Sequence, residues 1–323
     1  MQLLLLLLAF ILPPGAQAGE IIGGHEAKPH SRPYMAFLQY WDRGTQRTCG
    51  GFLIREDFVL TAAHCWGSPI NVTLGAHNIR KQEKTQQVIR VRRAMRHPAY
   101  NLNDYSNDIM LLQLETKARL TAAVRPLKLP TGKARVKPGK ECLVAGWGST
   151  SLGSKVSDTL QEVMLTVQED KECESLAQPP YRYHKAMEIC VGDPKINKSS
   201  FKGDSGGPLV CDNVAQGIIS HGKGNGMPPR VCTKVSRFLP WIKKIMKRRQ
   251  LQEADSAPFV TGQLKAKLSA AVSPIRLLLG RVRVTPGMVC TWPSPLHNFP
   301  VKLHQVELEA QRDEQRMCHH RDR

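Results

Sequence analysis

Apolar residues in this chain come in short runs separated by turn formers. Residues 52–54, 58–60, 109–114, 160–167 and 214–219 are such runs, with Gly, Pro or Asn between them. Runs of this length and spacing predict the buried strands of an all-β domain. Two segments depart from the pattern. Residues 3–12 are almost wholly apolar, yet too few to cross a bilayer. Near residue 240 the period lengthens: Trp241, Ile242 and Ile245 share one face at helical spacing, which predicts a helix over 238–247. From residue 250 to 323 no clean period persists. Residues 277–279 are too short for a span, and 301–311 predict at most a short helix.

The ends frame the domain. Residues 1–18 close on Ala16-Gln17-Ala18, a small-x-small cleavage site behind an apolar run, and predict a signal peptide, although no Lys or Arg precedes the run. Its removal leaves Gly19-Glu20 ahead of Ile21-Ile22-Gly23-Gly24. Nine cysteines behind a secretory signal imply an oxidising compartment and structural disulfides. Asn71-Val72-Thr73 and Asn197-Lys198-Ser199 fit the N-glycosylation acceptor pattern.

Charge changes the picture of partners. The chain carries 46 Lys and Arg against 27 Asp and Glu, a net of +19, and residues 21–249 alone carry +17. Arg90, Arg92, Arg93 and Arg96 form one run; Lys133, Arg135 and Lys137 form a second; Lys243, Lys244, Lys247, Arg248 and Arg249 form a third. Such a field attracts polyanions. No nucleic-acid motif accompanies it, so for a secreted chain a sulfated glycosaminoglycan fits better than DNA or RNA. No metal-ligand cluster, cofactor motif or membrane span appears in the sequence.

The chemistry lies in three segments. Gly203-Asp204-Ser205-Gly206-Gly207-Pro208 presents a serine between glycines that permit a sharp turn. A serine hydroxyl needs a base to take its proton, and Leu60-Thr61-Ala62-Ala63-His64-Cys65 supplies His64. Asn107-Asp108-Ile109 supplies Asp108, an acid to hold the imidazole tautomer and stabilise the imidazolium. Each residue alone has an ordinary structural reading, as a core histidine or a turn residue. Together, in the order His, Asp, Ser and with these flanks, they point to acyl transfer by a catalytic triad. On these segments the chain resembles the trypsin and chymotrypsin family of serine proteases.

That resemblance implies two packed six-stranded antiparallel β-barrels, a C-terminal helix and an active site between the barrels. It covers residues 1–249 and leaves 250–323 as an extension, disordered or artefactual, to which no chemistry is assigned. It implies that a freed Ile21 amine folds inward and pairs with Asp204. The pair would order an oxyanion hole made by the N–H groups of Gly203 and Ser205. Glu20 stands where a tryptic activator would need Lys or Arg. The Gly19-Glu20 dipeptide resembles the granzyme, cathepsin G and chymase branch, where a dipeptidyl peptidase removes it. By the same resemblance Cys49 pairs with Cys65, Cys142 with Cys211, and Cys173 with Cys190. Cys232 is then an unpaired thiol, and Cys290 and Cys318 are left over.

The specificity pocket is read by the same resemblance. Ser199 would form its floor, which excludes a trypsin-like aspartate there. Ser220 and Gly222 would form a wall, and Arg230 would reach in. A guanidinium in that place would take a substrate carboxylate bidentately, as in the aspartate-cleaving granzymes. Lys202 and Lys223 would flank the cleft and favour acidic neighbours. His221 departs from the aromatic residue usual at its place and weakens the expectation of apolar subsites. The implied function is a granule-stored endopeptidase of cytotoxic lymphocytes. It would cleave after Asp and promote target-cell apoptosis, with serglycin-type proteoglycan, perforin and a serpin as partners. Two alternatives stand: a chymase-like preference for large apolar residues, with Arg230 turned to solvent, and a non-enzymatic heparin-binding antimicrobial protein.

Overall fold

The computed structural model describes residues 21–132, 134–149, 155–175 and 182–256. The signal peptide, the Gly19-Glu20 dipeptide, Lys133 and the extension from residue 257, including the short helix expected over 301–311, lie outside the described residues.

Among the described residues thirteen strands build two sheets. β2 (Met35–Asp42), β3 (Thr45–Arg55), β4 (Phe58–Thr61), β5 (Ile70–Leu74), β6 (Gln87–Arg96) and β7 (Met110–Leu114) form a closed barrel in the order β2-β3-β4-β7-β6-β5. Every residue of β4 and of β7 is buried. A continuous apolar run suits a strand covered on both faces, and an alternating one would not. The second sheet uses β1 (His25–Glu26), β8 (Glu141–Gly146), β9 (Gln161–Thr166), β10 (Glu188–Val191), β11 (Pro208–Cys211), β12 (Val214–Gly222) and β13 (Arg230–Lys234). Its order is β1-β9-β8-β11-β12-β13-β10. Here the structure differs from two equal six-stranded barrels. β1 adds a seventh strand at the β9 edge, and β10 meets the end of β9 through a single bridge, Val167 to Val191. Gln168 N donates to Cys190 O at 2.8 Å and Gly192 N to Thr166 O at 2.8 Å, which closes that seam without a full ladder.

Two helices complete the unit: α1 (Asp170–Glu174) and α2 (Val235–Ser256). α2 is longer than expected at both ends. At its start Val235 is fully buried and Phe238, Leu239 and Ile242 follow on the covered face, with Trp241 and Ile245 half-buried beside them. Beyond residue 249 the chain lacks Gly or Pro until Pro258. With good helix formers there and no breaker, the helix runs to Ser256.

Three disulfides staple the loops: Cys49–Cys65, Cys142–Cys211 and Cys173–Cys190. The first closes a separation of 16 residues and ties β3 to the loop after β4. On the loop-entropy picture it contributes about 3 kcal/mol.

Candidate active site

Strand register brings the chemistry together. Thr61, the last residue of β4, pairs with Met110, the first of β7. The loop after β4, which carries His64, and the segment just before β7, which carries Asp108, therefore leave the barrel at the same end. From the second sheet, Gly206 N donates to Ile219 O at 2.8 Å, setting the segment before β11 against the end of β12. Gly50 N of β3 donates to Ser205 O at 2.8 Å and links that segment to the first barrel. Gly206 has φ +83°, and a Cβ there would collide with Thr61 Oγ1 and Gly50 O. Only glycine permits this approach.

At this junction Asp108 is fully buried. Its Oδ2 lies 2.8 Å from His64 Nδ1, and its Oδ1 accepts from His64 N at 3.0 Å. Ser220 Oγ donates to Oδ2 at 2.5 Å, and Thr233 Oγ1 donates to the Asp108 carbonyl at 2.9 Å. Burial opposes the charge on Asp108, but His64 and the Ser220 hydroxyl outweigh it and hold the carboxyl below its ordinary pKa. For His64, burial pulls the pKa down and Asp108 pulls it up; the carboxylate wins, and the imidazole is more basic than usual. His64 and Ser205 then face one cavity of about 800 Å³.

Among the described residues four cations line that cavity, Arg182, Lys202, Lys223 and Arg230, and no carboxylate does. Arg230, at the start of β13, pairs in register with Gly222 of β12. Its guanidinium lies over Gly222, where a Cβ would come within 2.8 Å of Nε, Cζ and Nη1. Nη1 donates to Lys223 O at 2.9 Å, while Nε is buried without a hydrogen-bond partner. Arg230 is 7% exposed, and burial lowers its pKa.

A catalytic-acid pair and a serine at the junction of two antiparallel β units, stapled by three disulfides, define a recognisable protease architecture. The family profile described as Trypsin matches residues 21–242. The chain belongs to the trypsin family. Human granzyme B is 68% identical over 248 residues, which cover 77% of this chain and all of that protein. Human granzyme H is 65% identical over 248 residues, with the same coverage. Human cathepsin G is 57% identical over 258 residues, 80% of this chain and all of cathepsin G. A solved structure titled "Structure of GrC" superposes with a TM-score of 0.68 at 56% identity, covering 70% of this chain and 100% of that one. This trypsin-family serine endopeptidase lies in the granzyme and cathepsin G branch.

Other residues singled out from the sequence fall in different places. Ser199 is fully buried, its Oγ donating to Ser200 O at 2.9 Å, and does not line the cavity. Lys202 and Lys223 are exposed on the rim. Ser220 and Gly222 line the cavity, with the Ser220 hydroxyl turned to Asp108. Asp204 is fully buried. Its Oδ1 accepts from Gly148 N at 2.9 Å and its Oδ2 from Phe201 N at 2.8 Å, while burial pushes its pKa up to about 6. Ile21 is 1% exposed and packs with Val144, Val163 and Val191. Ser199 N donates to Ile22 O at 3.0 Å, which docks this amino-terminal segment beside the pocket. Gly203 has φ +102°, and a Cβ there would meet Gly148 Cα at 2.9 Å. Asn71 and Asn197 are exposed.

Reasoning from sequence missed Tyr105, Arg182 and Tyr183 on the cavity wall. Tyr105 sits only three residues before Asp108, a cue to its proximity, but its φ of +57° carries no sequence signal. Cys49, His64 and Cys65 are spaced as a metal trio, yet the two sulfurs are joined as a disulfide and offer no thiolate.

Proposed function

We propose that this granzyme-like protease cleaves on the carboxyl side of aspartate. The observation that carries the reading is Arg230, a buried guanidinium with an unsatisfied Nε on the wall of the catalytic cavity. A substrate carboxylate at P1 would pair with it, and an apolar P1 would leave it uncompensated. His64 takes the proton of Ser205 Oγ as the hydroxyl attacks the scissile carbonyl, then passes it to the leaving amine, while Asp108 stabilises the imidazolium. The N–H groups of Gly203 and Ser205 receive the oxyanion. Removal of Gly19-Glu20 frees the Ile21 amine to pair with Asp204, whose buried carboxyl otherwise has only neutral donors within hydrogen-bond reach.

The same resemblance supports a secreted granule enzyme held on sulfated proteoglycan, delivered with perforin, restrained by a serpin and promoting apoptosis of target cells. Arg90, Arg92 and Arg93 are exposed along β6 and suit the polyanion. Among the described residues no helix is long and apolar enough to cross a membrane. Exposure of Asn71 and Asn197 supports both as glycan acceptors.

The test is a P1 scan with chain beginning at Ile21. Peptides differing only in Asp, Glu, Phe, Leu, Met or Lys at P1 are compared by kcat/KM, with Arg230→Gly alongside. A strong Asp preference that the variant abolishes is expected. A preference for Phe, Leu or Met, indifferent to Arg230, would leave a chymase-like protease and discard the aspartase.

A further inference from the structure

Five side chains around the catalytic pair form a closed circuit. His64 Nδ1 meets Asp108 Oδ2 at 2.8 Å, and Ser220 Oγ meets the same oxygen at 2.5 Å. Ser220 Oγ also lies 3.1 Å from His221 Nδ1. The His221 ring stacks on Tyr105, with centroids 5.3 Å apart and planes at 25°. Tyr105 in turn meets the His64 ring edge-on at 5.5 Å and 81°. Hydrogen bonds close one arc of the circuit and ring contacts close the other.

Proton counting fixes the direction of the hydrogen-bonded arc. A serine hydroxyl has one proton, and an ionised carboxylate only accepts. At 2.5 Å from Asp108 Oδ2, the Ser220 proton must lie on that line, since two facing lone pairs would repel. Ser220 Oγ is then left as an acceptor toward His221, so the hydrogen of a neutral His221 sits on Nδ1. Among the described residues the charged and titratable groups facing His221 include Asp108, Arg230, His64 and Asp104, with Tyr105 against its ring. Burial is the main influence on the imidazole and, with Arg230 and His64, overrides the carboxylates, holding its pKa down to about 4. His221 is therefore neutral wherever His64 can work as a base.

We propose that His221 is a positioning residue for the catalytic acid: its Nδ1–H donates to Ser220 Oγ and commits the serine proton to Asp108 Oδ2. Chained hydrogen bonds polarise one another, so Ser220 becomes a stronger donor to the buried carboxylate. Tyr105, wedged between the two imidazoles, keeps the His221 ring in the plane that aims Nδ1 at the serine.

Two measurements test this on the full chain and on its active protease. In [15N]histidine-labelled protein at pH 7, with the His221 signals assigned by their loss in His221→Phe, the Nδ1-protonated tautomer is expected. An Nε2-protonated tautomer overturns the proposal, and the wild-type spectrum decides this however the variant folds. Kinetics use any peptide that the wild type cleaves, so failure of the aspartate reading leaves this test untouched. His221→Phe keeps a ring for Tyr105 and loses the donor, so kcat should fall about fivefold, the worth of one hydrogen bond near 1 kcal/mol. Its KM should stay constant. Weaker donation leaves Asp108 more basic, which holds the His64 proton tighter and moves the acid limb of the kcat profile to higher pH. His221→Asn, whose side-chain amide can stand near Nδ1, should restore most of the lost kcat. A change confined to KM, or no difference between Phe and Asn, would reduce His221 to a wall residue and overturn the proposal.

Discussion

Asp108 and Arg230 are buried ions of opposite sign served by neighbouring strands, and the fold treats them differently. Asp108 receives three donors on its carboxylate, from His64 Nδ1, His64 N and Ser220 Oγ. Arg230 makes one hydrogen bond, from Nη1 to a carbonyl, and among the described residues no carboxylate forms an ion pair with it. Burying a charge without a partner is costly, so the two sites report two different design problems. The catalytic acid is complete before substrate arrives and needs no rearrangement when charge develops on His64. On the proposed reading Arg230 is a specificity cation left incomplete, and a substrate that completes it gains what the site lacks. Chemistry is built into the scaffold; selection is left to the ligand.

Breaking the complete side should have the largest effect. Asp108→Asn replaces an acceptor facing the imidazole Nδ1–H with an amide that can donate, favouring the wrong tautomer of His64. We expect kcat to fall by about 10⁴ with KM little changed, by analogy with other triads, measured with any cleaved peptide after active-site titration. The incomplete side is sharpened by Arg230→Lys. An ammonium keeps the charge but loses the planar fork and its Nη1 bond to Lys223 O. Cleavage of the Asp peptide should drop about tenfold to a hundredfold in kcat/KM, between wild type and Arg230→Gly. Equal activity of Lys and Arg would mean that simple charge, rather than bidentate recognition, reads P1.

What was legible in the sequence follows the same division. The strands were, because both faces of β4 and β7 are covered and their residues are apolar but for Thr61 and Gln113. The trypsin-family segments around His64, Asp108 and Ser205 were, because sharp turns and buried flanks leave local signatures. The seam at Val167 and Val191 was not: a single bridge between distant segments has no period to read. Nor was the placing of the Arg230 guanidinium over Gly222, which depends on the register of β12 against β13. The third donor to Asp108 escaped for a like reason. Ser220 lies 112 residues away, and only the packing of the two sheets brings it there.

Asp204 extends the comparison to a buried acid whose charged partner, on the proposed reading, is the amine that cleavage frees at Ile21. In the uncleaved chain its pKa is pushed up to about 6, chiefly by burial, against the N–H groups of Phe201 and Gly148 and the charge of Arg230. A carboxyl that holds its proton more tightly folded than unfolded contributes fully below its ordinary pKa, and that contribution is lost as pH rises through about 6. Glu188, raised to about 7 by burial, adds a loss of the same sign in either form. His221, held down to about 4, offsets part of this loss in both forms, and the two raised acids together leave the uncleaved chain melting at lower temperature at pH 7 than at pH 5, by calorimetry. Chain beginning at Ile21 should lose less over that interval, because the new amine favours the ionised carboxylate. Identical pH dependence in the two forms would show that Ile21 does not reach Asp204.

The smallest effect is expected at Cys232, the neighbour of Arg230 on β13 that is buried yet asks for no partner. It is 1% exposed and is a free thiol. Burial, only partly offset by Arg230, raises its pKa to about 12. A thiol costs little to bury unpaired, whereas a guanidinium costs much, so two residues apart on one strand the same surroundings store very different free energies. The thiol should stay protonated and inert at pH 8. Iodoacetamide applied to native protein should leave Cys232 unmodified by peptide mapping, and kcat/KM for the Asp peptide unchanged. Cys232→Ala should cost about 1 kcal/mol of stability, the value of a small buried apolar group, with P1 preference intact. Alkylation of Cys232 in native protein, with loss of Asp cleavage alone, would show that β13 opens around Arg230. The pocket would then be a mobile element that the substrate closes, and the contrast with the rigid catalytic acid would be one of motion as well as of charge.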